Sequence, residues 1–161
     1  MEELINLSHG SGGKSFNDLL TKIILPKLNN PYLNKTTDGA ILENVEGRLV
    51  MACDGHVVTP RIFPGGSLGK LSFCGTVNDL AVMGARPLYL TMGLIIEEGL
   101  EIKELDFHIE EIAKLSKKWD IPIVSGDTKV VPRNSADGLF ITMSGVGTIE
   151  NSIRSPSPSN I

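Results

Sequence analysis

The order of helical and strand-like patterns is the sequence feature that most limits the fold of this chain. Apolar residues recur at helical spacing over residues 15–29, 67–84 and 102–118. The segment "DGAILENVEGRLVMACDG" predicts a strand, a Glu-Gly turn and a second strand. Further strands are predicted in "PLYLTMGLII" and "DGLFITMSGVGTI". The segment "IPIVSGD" predicts a short strand followed by a loop. The resulting order α, ββ, α, β, α, β, β predicts a mixed α+β or α/β domain, not a doubly wound repeat of regular βαβ units.

Composition excludes several classes of protein. The 161 residues carry a net charge of -4 with no clustered basic stripe, which argues against nucleic-acid binding. No apolar run approaches the roughly 18 residues of a membrane span, and the N-terminus lacks a signal-peptide pattern. Cys53 and Cys74 show no metal-binding spacing, which favours free thiols in a reducing compartment. We therefore expect a soluble, cytoplasmic protein that binds neither nucleic acid nor membrane.

The stretch "SHGSGGK" places glycines and a lysine immediately before the first predicted helix. Gly10, Gly12 and Gly13 allow positive φ and a close approach of the backbone to a ligand. A helix N-terminus offers free N–H groups and the positive end of a dipole, and Lys14 adds a cation. These features suit a phosphate. The stretch is neither a Walker A motif nor GxGxxG, so a flexible loop before a helix remains an alternative.

Three aspartates lie beside a glycine at predicted strand ends: Asp38, Asp54 and Asp127. Carboxylates placed there are good ligands for a hard cation such as Mg²⁺ bound with nucleotide phosphates. Lys129 follows Asp127 by two residues and adds a cation. The alternative for each aspartate is a simple Asp-Gly turn.

A polar pair, Asn78 and Asp79, interrupts the apolar helix predicted over residues 67–84. Burial of an amide beside a carboxylate is costly unless the groups are paired or bind a metal. Because their neighbours are apolar or small, we favour a functional role, with an exposed helical stripe as the alternative.

The histidines are less informative, and no nucleophile elbow or HExxH motif is present. We expect His108 to be solvated, because it lies in an acidic amphipathic helix. His56 is expected at the surface or in a satisfied contact. His9 adjoins the glycine-rich stretch, where contact with a phosphate is the alternative to an ordinary position.

Three stretches together resemble one family: "LSHGSGGK", "FPGGSLGKLSFCGTVNDLAVMGARPLYL" and "VSGDTKVVPR". In this order they are similar to the N-terminal domain of the hydrogenase maturation factors HypE. These belong to a superfamily with aminoimidazole ribonucleotide synthetase, selenophosphate synthetase and thiamine-monophosphate kinase. The resemblance implies an α+β fold: a mixed, mainly antiparallel sheet with helices packed on one face (PurM N-terminal-like), which forms a homodimer through its sheet.

The resemblance also implies a function. HypE proteins use ATP and Mg²⁺ to dehydrate a thiocarboxamide on their own C-terminal cysteine to a thiocyanate, the source of the cyanide ligand of [NiFe] hydrogenase. The implied partners are the carbamoyltransferase HypF and the HypC–HypD complex. The implied Mg²⁺ ligands are Asp38, Asp54, Asp79 and Asp127, and the implied ATP or phosphate contacts are Gly12, Gly13, Lys14, Asn78, Thr128 and Lys129.

The resemblance divides the chain into residues 1–150, an ATP-binding and dimerisation domain, and residues 151–161, a Ser/Pro-rich linker to a C-terminal domain that is absent. No catalytic residue is then expected here, because the last residue is Ile161 and not cysteine. The chain has Asp54-Gly55-His56 where the family usually has Asp-Ser and an aromatic residue. Two alternatives stay open: a non-catalytic dimerisation or scaffold module, and another ATP-dependent phosphoryl-transfer enzyme of the superfamily.

Overall fold

The computed structural model describes residues 3–149, which contain four α-helices and six strands. The predicted helices over residues 67–84 and 102–118 and the predicted strand in "PLYLTMGLII" are confirmed, with small differences at their ends. The α-helices are α1 Gly13–Leu19, α2 Leu25–Leu28, α3 Leu68–Val82 and α4 Ile102–Trp119. The strands are β1 Arg48–His56, β2 Ile62–Phe63, β3 Gly66–Ser67, β4 Arg86–Glu97, β5 Ile123–Val131 and β6 Leu139–Ile149.

The main sheet has the strand order β1-β6-β4-β5. β6 is antiparallel to both β1 and β4, whereas β5 is parallel to β4. A parallel pair needs a crossover connection, which α4 supplies between β4 and β5. β2 and β3 form a separate antiparallel ribbon. The predicted α+β fold with a mixed, mainly antiparallel sheet is confirmed.

The helices cover one face of this sheet. In β4, Leu90, Leu94 and Ile96 are buried and alternate with more exposed positions, as expected when every second side chain enters the core. The opposite face carries Leu49 and Met51 of β1, which are 64% and 72% exposed. One face of the sheet therefore forms the core, and the other is open in the single chain.

The first predicted helix, over residues 15–29, is interrupted by a wider turn. Between α1 and α2, residues Leu20–Ile24 form a π-helical turn in which the N–H of Leu25 donates to the carbonyl of Leu20. Pro26 follows in the first turn of α2. A proline lacks an N–H and crowds the preceding turn of an α-helix. The π-turn therefore lets the chain stay helical to Leu28 despite the proline.

The predicted hairpin before β1 is wrong in its first strand. Residues 40–46 are not a strand, and β1 begins at Arg48. Gly47 adopts a φ of 95°, and a Cβ there would lie 2.8 Å from the carbonyl oxygen of Ile149. The apolar alternation of "AILENV" fits a strand, but within residues 3–149 no neighbouring strand supplies it with hydrogen bonds. Ile41 is accordingly 87% exposed.

Three further expectations from the sequence concern the linker, the cysteines and membrane-spanning helices. The predicted linker, residues 151–161, lies outside the described residues. Cys53 and Cys74 are free, as expected. Within residues 3–149, no helix combines the length and the apolar character that crossing a membrane requires.

The predicted solvation of His108 is wrong, because its side chain is fully buried where α4 crosses α3. Its Nδ1 accepts a hydrogen bond of 3.3 Å from the N–H of Gly69. A Cβ at Gly69 would overlap the carbonyl oxygen of His108, so only glycine permits this close crossing. Burial lowers the pKa of His108, and the charge on Glu104 opposes that shift.

Candidate functional site

A cavity of about 390 Å³ lies between the N-terminal helical segment and β5. Apolar side chains of the helical segment form much of its lining, and polar residues of the following loop and of β5 form the rest. Asp38 and Asp127, two predicted magnesium ligands, are at this cavity together with Thr128, a predicted phosphate contact. The lining is Phe16, Leu20, Ile24, Leu25, Leu28, Tyr32, Leu33, Thr36, Thr37, Asp38, Met92, Ile123, Val124, Ser125, Gly126, Asp127 and Thr128.

Asp127 lies within β5, so its predicted position at a strand end is wrong. The strand continues to Val131, and Asp127 is opposite Gly93 of β4. The sequence "SGDTKVV" stays extended because β4 offers hydrogen-bonding partners along its whole length. β5 is an edge strand of the sheet, and Asp127 and Lys129 are both exposed on it; Asp127 lines the cavity, whereas Lys129 is outside its lining.

The loop that carries Asp38 is packed against the sheet through two tyrosines. The rings of Tyr32 and Tyr89 meet edge to face, with centroids 5.5 Å apart and an angle of 75° between planes. Their hydroxyl oxygens are 3.3 Å apart, and this hydrogen bond raises the pKa of Tyr32. The contact connects the loop to β4 next to the cavity.

A second acidic group lies where β1 meets α3. His56 is buried, with Nε2 3.3 Å from Oγ1 of Thr76 and 4.0 Å from Oδ2 of Asp54. Burial lowers the pKa of His56, whereas the charges on Asp54 and Asp79 act in the opposite direction. A Cβ at Gly75 would lie 2.8 Å from the ring of His56, so the helix needs a small residue there. His56 thus makes the satisfied contact that was one of its two expected positions.

The acidic residues at the cavity, Asp38 and Asp127, are well separated from the acidic group at Asp54 within one chain. β1 and β5 are opposite edges of the sheet, with β6 and β4 between them. With neighbouring strands about 4.8 Å apart, the backbones at Asp54 and Asp127 are about 14 Å apart. Within residues 3–149, no three His, Cys, Asp or Glu side chains form a group that could hold a metal ion. The cavity therefore holds two of the four predicted acids, and the four-acid set stays a prediction.

The two halves of the glycine-rich stretch "SHGSGGK" have different structural roles. Gly12 and Gly13 adopt φ values of 75° and 80° and lead into α1, with open space around their Cα atoms. Gly10 serves packing, because a Cβ there would lie 2.5 Å from the backbone nitrogen of Val130. His9 is buried and accepts a hydrogen bond of 3.1 Å from the N–H of Asn6. Only the second half of the stretch therefore has the exposed backbone that a phosphate would need.

The polar pair in α3, Asn78 and Asp79, is exposed, which is the alternative that the sequence left open for it. The buried residues of this helix include Thr76 and Leu80, four positions apart on the face toward the sheet. Asn78 lies on the opposite side of the helix from Thr76, whereas Asp79, three positions after Thr76, lies beside that face, where its charge acts to raise the pKa of His56. Their assignment to the nucleotide site stays a prediction.

Several cavity residues were not identified from the sequence. Phe16 was placed only in a helical pattern, and Tyr32 only in a helix-breaking segment. Thr36 and Thr37 precede Asp38 in "TTDGA", and this run of small polar side chains beside a carboxylate was the available signal.

The family model described as "AIR synthase related protein, N-terminal domain" matches residues 36–149. The match covers more than half of the chain and contains every strand, α3, α4 and the four predicted acids. The chain belongs to the AIR synthase related family. This AIR synthase related domain also has curated relatives of high similarity.

Carbamoyl dehydratase HypE of Azotobacter vinelandii is 43% identical over 145 residues, which are 90% of this chain and 42% of that protein. Carbamoyl dehydratase HypE of Escherichia coli K12 is 42% identical over 154 residues, 92% of this chain and 46% of that protein. The chain therefore spans less than half the length of these curated relatives.

Solved structures give the same result. A crystal structure of HypE in complex with ATP superposes with a TM-score of 0.89 at 41% identity, covering 94% of this chain and 44% of that one. A HypE–HypF complex gives 0.63 at 40% identity over 81% of this chain and 42% of that chain. Thiamine-monophosphate kinase from Stenotrophomonas maltophilia gives 0.61 at 21% identity over 83% of this chain and 42% of that chain, which shows a shared fold. The predicted resemblance to HypE is confirmed.

Proposed function

We propose that this chain is the ATP-binding N-terminal domain of a HypE-like hydrogenase maturation protein, and that ATP binds with Mg²⁺ at the cavity beside β5. The observation that carries the proposal is the presence of Asp38, Asp127 and Thr128 around one cavity of about 390 Å³ with an apolar wall. This size and this mixture of apolar lining with a few polar groups are typical of small-molecule sites. The similarity to the HypE structure that contains ATP supports the proposal.

The donor set at the cavity fits magnesium. Mg²⁺ is usually held by one or two carboxylates together with phosphate oxygens and waters, and Asp38 and Asp127 offer two carboxylates. Once bound, Mg²⁺ would offset negative charge on the transferring phosphoryl group. Thr128 supplies a hydroxyl beside Asp127. Lys129 follows on the same strand as a proposed phosphate contact.

The remaining predicted residues lie outside the cavity. Gly12 precedes α1, and Gly13 and Lys14 begin it, two to four residues before Phe16, which lines the cavity; we propose that a movement of this segment brings them to a bound phosphate. Asp54 is on β1, at the opposite edge of the sheet from β5, and Asn78 and Asp79 are on α3, which packs against β1. Their proposed role requires either a second copy of the chain or a rearrangement.

The complete reaction belongs to a longer protein, because the chain spans 42% and 46% of the two HypE relatives. We propose that this protein uses ATP to phosphorylate the oxygen of a cysteine-bound thiocarboxamide. Loss of that oxygen as phosphate, with loss of the nitrogen-bound protons, leaves a thiocyanate. The proposed partners are HypF, which the solved HypE–HypF complex supports, and a HypC–HypD complex. The cytoplasmic location stays a prediction.

We further propose that the domain forms a homodimer through the open face of its sheet. Leu49 and Met51 of β1 are apolar and exposed on that face, opposite Thr148 and Val146 of β6. A contiguous exposed apolar surface of this kind marks an interaction site. A second copy is the simplest occupant, because it offers the same apolar strand in return.

A scaffold module is the second candidate. The wide separation of Asp54 from Asp127 favours it, since one chain alone does not assemble the four predicted acids. A different phosphoryl-transfer enzyme of the superfamily has less support, because the similarity to thiamine-monophosphate kinase is at the level of fold.

Calorimetric titration with a non-hydrolysable ATP analogue, with and without Mg²⁺, tests the ATP site. We expect Mg²⁺-dependent binding that Asp38→Asn and Asp127→Asn each weaken at least tenfold. Asp120→Asn is the matched control, because Asp120 is exposed at the end of α4 and lines a different groove. An Asp79→Asn variant reports whether the second acidic group contributes. Absence of Mg²⁺-dependent binding, or unchanged binding by both cavity variants, would refute the ATP site and favour the scaffold.

A further inference from the structure

Asn30 uses its whole hydrogen-bonding capacity behind the cavity wall. Its Nδ2 donates to the carbonyl oxygens of Leu28 and Ile123, both at 2.8 Å. Its Oδ1 accepts from the backbone N–H groups of Tyr32 at 3.0 Å and Leu33 at 3.1 Å. A side-chain amide has two donor hydrogens and two acceptor lone pairs, so all four are engaged.

Each of these four bonds ends on a residue that lines the cavity. Leu28 is the end of α2, Tyr32 and Leu33 belong to the loop that leads to Asp38, and Ile123 begins the strand that carries Asp127. Asn30 itself does not line this cavity; it lines a neighbouring groove. The amide therefore joins the two walls of the cavity from behind.

The contact between Asn30 and Ile123 joins segments that are 93 residues apart in the sequence. No other side-chain hydrogen bond described within residues 3–149 connects the loop of residues 29–38 to β5. The Tyr32–Tyr89 contact reaches β4 instead. Asn30 thus provides the described side-chain hydrogen bond that ties the Asp38 loop directly to the strand of Asp127.

We propose that Asn30 is a positioning residue for nucleotide binding: it holds the Asp38 loop against β5 so that both cavity carboxylates face one ligand. This inference rests on the proposed ATP site and deepens it. Asn30 does not contact the ligand in this scheme. Its effect is exerted through the loop, and geometric precision of this kind controls binding and reaction strongly.

The core beneath Asn30 does not depend on it. Leu28 and Ile123 are 5% and 1% exposed and are packed among other buried apolar residues. Loss of the amide therefore loosens the loop without removing the apolar packing of Leu28 and Ile123 in the core.

Two substitutions of Asn30, made in the full 161-residue chain, break its hydrogen bond to Ile123 while they keep an acceptor for the turn. Asn30→Asp keeps acceptors for Tyr32 and Leu33 but loses both donors, so the link to Ile123 is broken. Asn30→Ser keeps a short acceptor for the turn, is too short to reach Ile123 and adds no charge. Asn34→Asp is the matched control, because Asn34 lies on the same loop and its exposed amide contacts only Asn29 among the described bonds.

Hydrogen exchange of the ligand-free proteins is the first measurement. We expect amides of residues 32–36, each of which donates a hydrogen bond, to exchange at least tenfold faster in Asn30→Asp and Asn30→Ser than in the wild type and in Asn34→Asp. Amides of β4 and β6 should be unchanged. If residues 32–36 of Asn30→Ser exchange at the wild-type rate, the positioning role is refuted whether or not ATP binds.

Titration with the ATP analogue and Mg²⁺ is the second measurement. Both Asn30 variants should bind at least tenfold more weakly, with melting temperatures close to that of Asn34→Asp. Faster loop exchange with unchanged affinity would overturn the proposal while leaving the ATP site intact. Failure of the wild type to bind would defeat the ATP site itself. If Asn30→Asp does not fold, the neutral Asn30→Ser variant decides the outcome.

Discussion

The buried imidazole of His108 should make the domain sensitive to mild acid. Its Nδ1 accepts a hydrogen bond from the N–H of Gly69, so the ring is held neutral with its proton on Nε2. Within residues 3–149, Nε2 has no hydrogen-bond partner, and Oε1 of Glu104 is 3.7 Å away. Burial lowers the pKa of His108 most strongly; Glu104 and Glu111 oppose the shift, and Arg61 reinforces it.

The sign and the size of the effect follow from linkage. An unfolded histidine has a pKa of about 6.5, above the lowered value in the folded state. The unfolded chain therefore takes up the proton first, and the contribution of His108 to stability is complete above pH 6.5 and is lost as pH falls. The free energy of unfolding therefore falls between pH 7 and pH 5, by at most about 1.9 kcal/mol, which is the limit that an unfolded pKa of about 6.5 sets for one histidine.

Urea unfolding at pH 7, 6 and 5 measures this loss. His108→Asn keeps an acceptor for Gly69 and removes the titrating ring, so it should lose less stability than the wild type over this range, by at most about 1.9 kcal/mol, whatever the cost of the smaller side chain at pH 7. His56 titrates in both proteins and cancels in the comparison. Lys117→Gln, on the exposed side of the same helix, should keep the wild-type dependence. Identical pH dependence in wild type and His108→Asn would refute the argument.

Three further predictions concern the open face and the core. Met51→Lys should convert a dimer to a monomer in analytical ultracentrifugation, whereas Val82→Lys, an equally exposed substitution at the end of α3, should not; a dimer that persists in Met51→Lys contradicts the proposed interface. Gly69→Ala should lower the free energy of unfolding by about 1–3 kcal/mol, because the added methyl overlaps the backbone of His108 and this outweighs the better helix propensity of alanine. A variant that is more stable than the wild type in urea unfolding would disprove the close crossing of the two helices. Ile112→Ala should cost about 2–5 kcal/mol in the same assay, because the side chain is fully buried; a loss below 1 kcal/mol would mean that the site is not packed as described.

Periodicity predicted most of the fold because the core is one-sided. β4 alternates buried and exposed residues, and α4 has its apolar residues on one stripe, so both patterns were visible in the sequence. The resemblance then supplied the sheet type. The strand order, with β6 between β1 and β4, depends on long-range pairing that spacing alone does not encode.

The wrong predictions arose where the chemical character of neighbouring residues in the sequence was given more weight than the position of the residue in its helix or strand. His108 was judged by its acidic neighbours, yet it is three residues after Leu105 and four before Ile112, which are both fully buried. That spacing places it on the apolar stripe. Residues 40–46 have the alternation of a strand. A strand also needs a hydrogen-bonding neighbour, and within residues 3–149 there is none for this segment. The sequence alone does not reveal that absence.

The candidate site was only partly predictable. Asp38 and Asp127 were chosen for their residue type beside glycine, and the structure brings them to one cavity. Asp54 was chosen on the same grounds and lies at the other edge of the sheet. The role of Asn30 was invisible, because its partners are backbone atoms and one of them, in Ile123, is far away in the sequence.

The central position of β6 also has a consequence for synthesis on the ribosome. β1 is made early, but among the strands of residues 3–149 it pairs with β6 alone, whose residues 141–149 are made roughly 90 residues later. Until β6 emerges, β1 has no partner among these strands, and β4 lacks one of its two. Such non-local pairing slows folding and leaves strand edges exposed. The nascent chain therefore needs protection from aggregation until the last strand of the sheet has left the exit tunnel.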